Sequence, residues 1–586
     1  MIEEREYTKD IILKNELKKE RLPLYNPKAL KIIEKEFKKW KKEKVSEKDN
    51  KNWLLTPHTI LGSEIERELL YTPLSNAGFD YIIDSGNSGQ EPFTRGIHPN
   101  MYRGKQFTMR QLTGFGSPED TNERIKFMLD SGVTGLNILF DLPTIQMYDS
   151  DDPISRGQVG MCGVAIDSVD DMEILFKDIP IEDITISLVT HYPSNTAIIF
   201  PMFLAMAKRR GIPWDKLKGS VQNDVTLEEV VRSGPEYIPP RDCFRIQCDN
   251  IEFIRKNIPN WNFITLNGYN LREFGASGIT EIAIAITNGM ETIDNLISRG
   301  YEVDWVARRL AFFWSAASDF FDEASRIRAA RRLWYKIIKN KYNAKDLKST
   351  WMRCHVQTSG ISLTRQEPLN NIIRAAFHAL SVVFGGAQSL HVDSYDEAYS
   401  VPTEESALLS LRTQQIIQSE IGATEVVDPL GGSYYVEALT TDIERRVLDE
   451  INELEKAGGY ISSIEKGLIQ KKIAKHFYKE QEMIEKKDIK LVGQNIFNSE
   501  SKNPSIDVFK YPLNVEERQK KRIATLKARR NEKEIEKTLR DLNEACTKKI
   551  NIIPFSIDCA EAGCTIGEIF KVFKKSYGLW RPPVIY

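Results

Sequence analysis

GLNILFDLPT at residues 135–144, ITISLVTHYP at 184–193 and KGSVQND at 218–224 decide the fold. Each is a short apolar or β-branched run that ends in polar residues: Asp141, then His191 and Tyr192, then Gln222, Asn223 and Asp224. NFITLNGYN (262–270), STWMRCHVQT (349–358) and AQSLHVDS (387–394) repeat the pattern and end in Tyr269 and Asn270, in Gln357 and Thr358, and in His391 and Asp393. Between these candidate strands lie stretches with helical spacing, such as DTNERIKFMLDSG and IIFPMFLAMAKRRG, the second closed by a glycine. Such alternation over about 300 residues predicts a parallel sheet with crossover helices. The length favours a closed (β/α)8 TIM barrel over an open sheet, and in a barrel the C-terminal strand ends carry the site. One polar strand end is usually a cap. Six strands ending alike predict a ligand-binding face.

Working outward, residues 51–440 read as the barrel, 1–50 as an N-terminal helical arm and 441–586 as a C-terminal helical region. ALKIIEKEFKKW in the arm has apolar residues at helical spacing, with acids interleaved among its lysines, as on a solvated or subunit-contacting face. The 586 residues exceed one ordinary domain. A net charge of −2 argues against a nucleic-acid binder. No apolar run approaches the roughly 20 residues that span a bilayer. The N-terminus MIEEREYTKD is neither a signal nor a transit peptide. Seven sparse cysteines without a CxxC pair predict reduced thiols and a cytoplasmic protein. A zinc site from Cys243, Cys248, Cys559 and Cys564 is conceivable, but the spacing is loose and no metal is expected.

Generic motifs do not extend this. GxGxxG ahead of a helix, GxxxxGK[ST], HExxH and GxSxG are all missing. Composition and spacing stop at a large α/β-barrel protein with the habit of an enzyme.

Longer segments go further. PFTRG (92–96), FTMRQLTGFGSPEDTNERI (107–125), YDSDDPISRGQVGMCGVAIDSVDDMEILF (148–176), ARRLAFFW (307–314), QTSGISLTRQEPLNNIIR (357–374), GGAQSLHVDSYDEA (385–398) and VVDPLGGSYYVEALT (426–440) resemble the methylmalonyl-CoA mutase family, in order and spacing, from about residue 50 to the C-terminus. The resemblance implies a TIM barrel with the pantetheine chain of an acyl-CoA along its axis. It implies a radical carbon-skeleton rearrangement dependent on adenosylcobalamin. In the family a separate domain with a DxHxxG motif supplies a histidine to cobalt. None of the seven histidines here has an aspartate two residues before it, and the chain ends where that domain would begin. A partner is therefore expected: a small cobalamin-binding subunit, with the large subunits forming a dimer or a heterotetramer with it.

The resemblance also assigns residues. Tyr102 matches a tyrosine that wedges between cofactor and substrate. Arg232 matches an arginine that pairs with the free carboxylate of methylmalonyl-CoA, a guanidinium fork suited to that anion. Ser220 and Gln222 match polar groups near the thioester. Asn270 stands where the family has a histidine on the thioester carbonyl; an amide can donate there but cannot transfer a proton at neutral pH. Arg95, Arg309 and Lys348 match cations that contact coenzyme A. Gln357, Gln388, Asp393 and Glu397 match positions on the cobalamin side, and Gln388 with Ser389 is also expected to touch substrate. Tyr102 and Arg232 together imply a methylmalonyl-CoA or succinyl-CoA type of substrate. Asn270 and the polar THYPSN segment (190–195) leave open another acyl-CoA, such as isobutyryl- or 2-hydroxyisobutyryl-CoA, or a non-catalytic acyl-CoA-binding paralogue.

Overall fold

A computed structural model describes residues 6–44, 63–227, 230, 236–498 and 506–583. Nine parallel strand segments form one sheet: β1 (Thr108–Thr113), β2 (Gly135–Leu139), β3 (Thr185–Val189), β4 (Lys218–Val221), β5 (Trp261–Asn262), β6 (Thr265–Asn267), β7 (Ala311–Ala316), β8 (Arg353–Thr358) and β9 (Ser389–His391). The order is β5-β4-β3-β2-β1-β9-β8-β7-β6. Its two ends, β5 and β6, are halves of the single run 261–267, so the sheet comes round on itself as an α/β barrel of the TIM type.

All six candidate strands are present. Two more, β1 and β7, lie inside FTMRQLT, where Arg110 interrupts the apolar run, and ARRLAFFWSA, where two arginines precede it. Ser117 caps the helix Pro118–Asp130 with a capping box, and Ser277 caps Gly278–Ser298. Gly386, at φ 85°, ends Asn370–Gly385 in the left-handed conformation and turns the chain into β9.

Outside the barrel, the arm begins with the helix Thr8–Leu17, held where the Thr8 amide donates to Glu455 at 2.9 Å. The helix Pro27–Lys44 that follows buries none of its residues. At the other end, Val515–Arg529, Glu532–Thr547, Ile553–Ala562 and Ile566–Tyr577 are helical, and Ile553–Ala562 packs on the barrel helix Pro193–Arg209. Among the described residues no helix is long and apolar enough to cross a membrane.

Candidate active site

The interior of this barrel is unusual. In most such barrels, branched apolar side chains fill the axis in layers. Here the register puts Leu112, Asn137, Ser187 and Ser220 on one face of neighbouring strands. That face is the inside: Arg110 of β1 reaches Ser220 of β4 with Nη1 3.4 Å from Oγ, and two strands lie between theirs in the sheet. Ser220 in turn donates to Ser187 Oγ at 3.0 Å. On the opposite wall Phe313, His355 and Ser389 share a layer. His355 Nδ1 lies 2.8 Å from Ser389 Oγ, and its ring stacks on Phe313 at 5.1 Å. Small polar groups therefore line a lumen where bulk is normal.

Arg110 is the outlier. Burial pulls its pKa down to about 10. The residue is half-buried, its Nε is buried with no hydrogen-bond partner, and no carboxylate among the described residues ion-pairs with it. Burying an unpaired charge is expensive unless a ligand supplies the counter-charge or acceptor. His355 is kept neutral: burial drives its pKa well below the ordinary value, and Arg110 adds to this. Its Nε2 is likewise buried without a partner.

The two ends of the lumen differ in their ionisable groups. At the N-terminal end Arg309 precedes β7, Lys348 precedes β8, and Arg353 opens β8. Burial lowers Arg353 to about 10, with the charges of Arg309 and Arg308 adding to it, so three guanidiniums crowd this opening. At the C-terminal end stand carboxylates. Glu273 accepts from Ser359 Oγ at 2.7 Å and from the Ile361 amide at 2.9 Å, and burial pushes its pKa to about 7. Gln357 Nε2 donates both to Tyr269 Oη at 2.8 Å and to Asp393 Oδ1 at 2.9 Å. Tyr269 stacks on Phe313 at 4.7 Å. Glu397 keeps solvent access at the rim; the surrounding protein and the charge of Asp393 both raise its pKa.

The expected residues fall into groups. Ser220, Arg309, Lys348 and Ser389 lie along the lumen or at its cationic opening, and Gln357, Asp393 and Glu397 gather at the carboxylate mouth. Gln222 is buried just beyond β4, its Oε1 taking no hydrogen bond from the described residues. Asn270 follows β6, and its Oδ1 accepts from Asn267 Nδ2 at 2.6 Å, so the group left for a ligand is its own Nδ2 donor.

Three residues are placed otherwise. Tyr102 precedes β1 at the N-terminal end, and its hydroxyl donates to the carbonyls of Val383 and Ala387, so it packs the barrel base and does not reach the mouth where a wedge would act. Gln388 is at that same end, tied to the Cys354 amide and the Gly386 carbonyl, and not on the cobalamin side. Arg95 pairs with Asp428 at 3.0 Å, outside the lumen. Arg232 lies outside the described residues. Asp141, Asn223 and Asp224 hold loop backbone: Asp141 accepts from the Thr144 and Gly160 amides, Asn223 donates to the Gln247 and Phe263 carbonyls, and Asp224 accepts from the Asn267 amide.

Sequence reasoning missed Arg110, Leu112, Glu273, Phe313 and His355. Period-two counting back from Gln357 reaches His355, and the same counting on β1 would have paired Arg110 with Leu112.

The chain matches the methylmalonyl-CoA mutase family over residues 61–579. It belongs to that family. The 2-hydroxyisobutanoyl-CoA mutase large subunit of Aquincola tertiaricarbonis is 38% identical over 531 residues, 90% of this chain and 93% of that protein. The mitochondrial methylmalonyl-CoA mutase of Homo sapiens is 39% identical over 495 residues, 84% of this chain but 65% of the human protein. The methylmalonyl-CoA mutase of Rhizobium meliloti is 38% identical over 525 residues, covering 72% of its length. Methylmalonyl-CoA mutases are isomerases, and a lumen with a cation in it agrees with a family that rearranges a bound ester.

Proposed function

We propose that this chain is the acyl-CoA-binding large subunit of an adenosylcobalamin-dependent mutase that rearranges the carbon skeleton of a branched acyl group. The observation that carries the reading is Arg110, a half-buried cation whose Nε is buried without a partner and which no carboxylate among the described residues meets, in a lumen lined by Ser187, Ser220 and Ser389 between a cationic opening and one lined by carboxyl groups. Arg309, Arg353 and Lys348 hold the phosphates of coenzyme A at the first opening. The pantetheine chain lies along the serines, and Arg110 and His355 offer it hydrogen bonds. The acyl group then sits near Gln222 and Asn270, whose amides orient the thioester carbonyl without reacting with radicals.

The carboxylate mouth suits the cofactor's ribose. Asp393 Oδ2 is buried with no partner, a ready acceptor for a hydroxyl, and Gln357 and Glu397 stand beside it. When bound, adenosylcobalamin would supply the radical chemistry of the rearrangement. The residues of this chain exclude water and fix the ester while that occurs. A separate small subunit with a DxHxxG motif carries the cobalamin, in a dimeric or heterotetrameric cytoplasmic enzyme. Support comes from the length of the Aquincola relative, named a large subunit, most of which this chain spans.

For the acyl group, the match of Arg232 favours a methylmalonyl-CoA or succinyl-CoA type. One observation favours a second reading, an uncharged branched acyl chain: Leu112 and Leu139 face the lumen toward the mouth, beside Asn137 and Val189 in register. Mixing the chain with its small subunit, adenosylcobalamin and methylmalonyl-, isobutyryl- or 2-hydroxyisobutyryl-CoA decides between them. Turnover of none of these would overturn the proposed function.

A further inference from the structure

A trough of about 840 Å³ lies on the outside of the barrel, remote from the lumen. One wall is the helix Val169–Leu175 with its exit turn and the end of the helix Pro193–Arg209; the other is Val515–Arg529 of the C-terminal region. Lys177, Arg209 and Arg210 line the first wall. Arg518, Lys521, Arg522 and Arg529 line the second, spaced so that they share one helix face. Ile174 and Leu526 give the trough an apolar floor.

Part of this charge is already matched. Arg209 meets Asp170 and Glu173, Arg529 meets Asp170, Arg518 meets Asp120, and Arg522 meets Glu119 and Asp171. Seven cations thus face five carboxylates. The excess is specific. Arg210 is pinned by the carbonyls of Phe176 and Glu173, both at 2.8 Å, which fix its fork; Glu173, Asp178 and Glu182 act on its charge without forming an ion pair with it. Lys177 and Lys521 are exposed, and no ion pair among the described residues occupies them. A fixed guanidinium fork flanked by two lysines matches phosphate oxygens. The volume falls within the roughly 300–1,000 Å³ typical of small-molecule sites, and an apolar floor accepts the face of a base.

We propose that this trough binds a polyphosphate of nucleotide size, with its phosphates between Arg210 and the Lys521 face of the C-terminal helix. Because the trough is the seam between barrel and C-terminal region, such a ligand clamps the two together. An acidic protein segment is the competing occupant, and the open trough has no second apolar stripe to seat one.

The test is calorimetric titration of the full chain with ATP, GTP, tripolyphosphate and coenzyme A at physiological salt, with a thermal melt beside each. ATP or GTP is expected to bind and to raise the melting midpoint. Tripolyphosphate alone would assign the site to the phosphates and remove the base. The variant Lys177→Glu/Lys521→Glu, which disturbs no ion pair named above, is expected to weaken binding at least about tenfold. Coenzyme A binding in the lumen should be unchanged in that variant, which separates this site from the proposed function. No binding of any probe, binding unaltered in the variant, or complete displacement of ATP by coenzyme A would overturn the proposal.

Discussion

Gln357 Nε2 lies 2.9 Å from Asp393 Oδ1, and His391 Nε2 lies 3.1 Å from the same oxygen. Burial lowers His391 to about 4, so the imidazole is neutral and the contact is not an ion pair. The Gln357 amide donates to Oδ1, and Oδ2 is buried without a donor. An acceptor held this way is set for a hydroxyl of an incoming group. Asp393→Asn keeps the shape and replaces that acceptor. Burial raises Asp393 to about 7, so turnover with the small subunit is expected to fall about tenfold, as for loss of one hydrogen bond. Acyl-CoA affinity, measured by titration, should not move, because Asp393 lies past the thioester.

Glu273 gives a prediction in pH. Burial raises its pKa to about 7, against about 4.3 in an unfolded chain. The folded state thus holds a proton that the unfolded state releases between those values. The resulting stability is fully present below about pH 4 and is lost as pH rises through 7. Glu273→Gln removes this contribution, since an amide does not titrate. The melting midpoint of the variant is expected to fall less steeply than that of the parent between about pH 4.5 and 7. Parallel curves would mean that Glu273 is already ionised in the fold.

Arg110→Met separates binding from folding. Removing a half-buried guanidinium that no carboxylate among the described residues meets, in favour of an apolar chain, relieves a desolvation cost. The melting midpoint should hold or rise. Coenzyme A ester affinity should drop at least about tenfold, for loss of a charge-assisted hydrogen bond. A loss of stability together with unchanged affinity would show that Arg110 serves the barrel and not a ligand.

The barrel was legible because its strands are short apolar runs whose ends turn polar together, a pattern set by burial on both faces. β1 escaped it for a physical reason: a lumen built for a ligand puts Arg110 where an apolar strand would carry Val or Ile, while Gln111 on the other face bonds Ser410 of an outer helix. The same inversion hid His355, since a polar residue within a strand reads as an interruption. Family resemblance located Gln357, Asp393 and Ser220 at or along the lumen. It misplaced Tyr102 and Gln388, because a strand's two ends lie at opposite mouths and a match of neighbours in sequence does not say which mouth. Asp141, Asn223 and Asp224 resemble site residues in every sequence property; only their hydrogen bonds to loop backbone distinguish them.

Gly219 ties the barrel's closure to its lumen. It precedes Ser220 on β4, and a Cβ there would meet the Ile186 carbonyl and approach the Trp261 ring at 2.7 Å. Ile186 belongs to β3 and Trp261 to β5, so both neighbours of the strand would have to give way. Backbone and a fully buried indole yield little. Gly219→Ala is therefore expected to cost about 1–3 kcal/mol, the range for overpacking, with a lower melting midpoint. Any shift of β4 also moves Ser220 away from Arg110, so coenzyme A ester affinity should fall in the same variant. Gly78→Ala is the control: no atom lies within 4 Å of the added carbon, its backbone is not left-handed, and the change should be neutral or slightly stabilising. Equal stability of the two variants would mean that the β3–β4–β5 wall is looser than these contacts require.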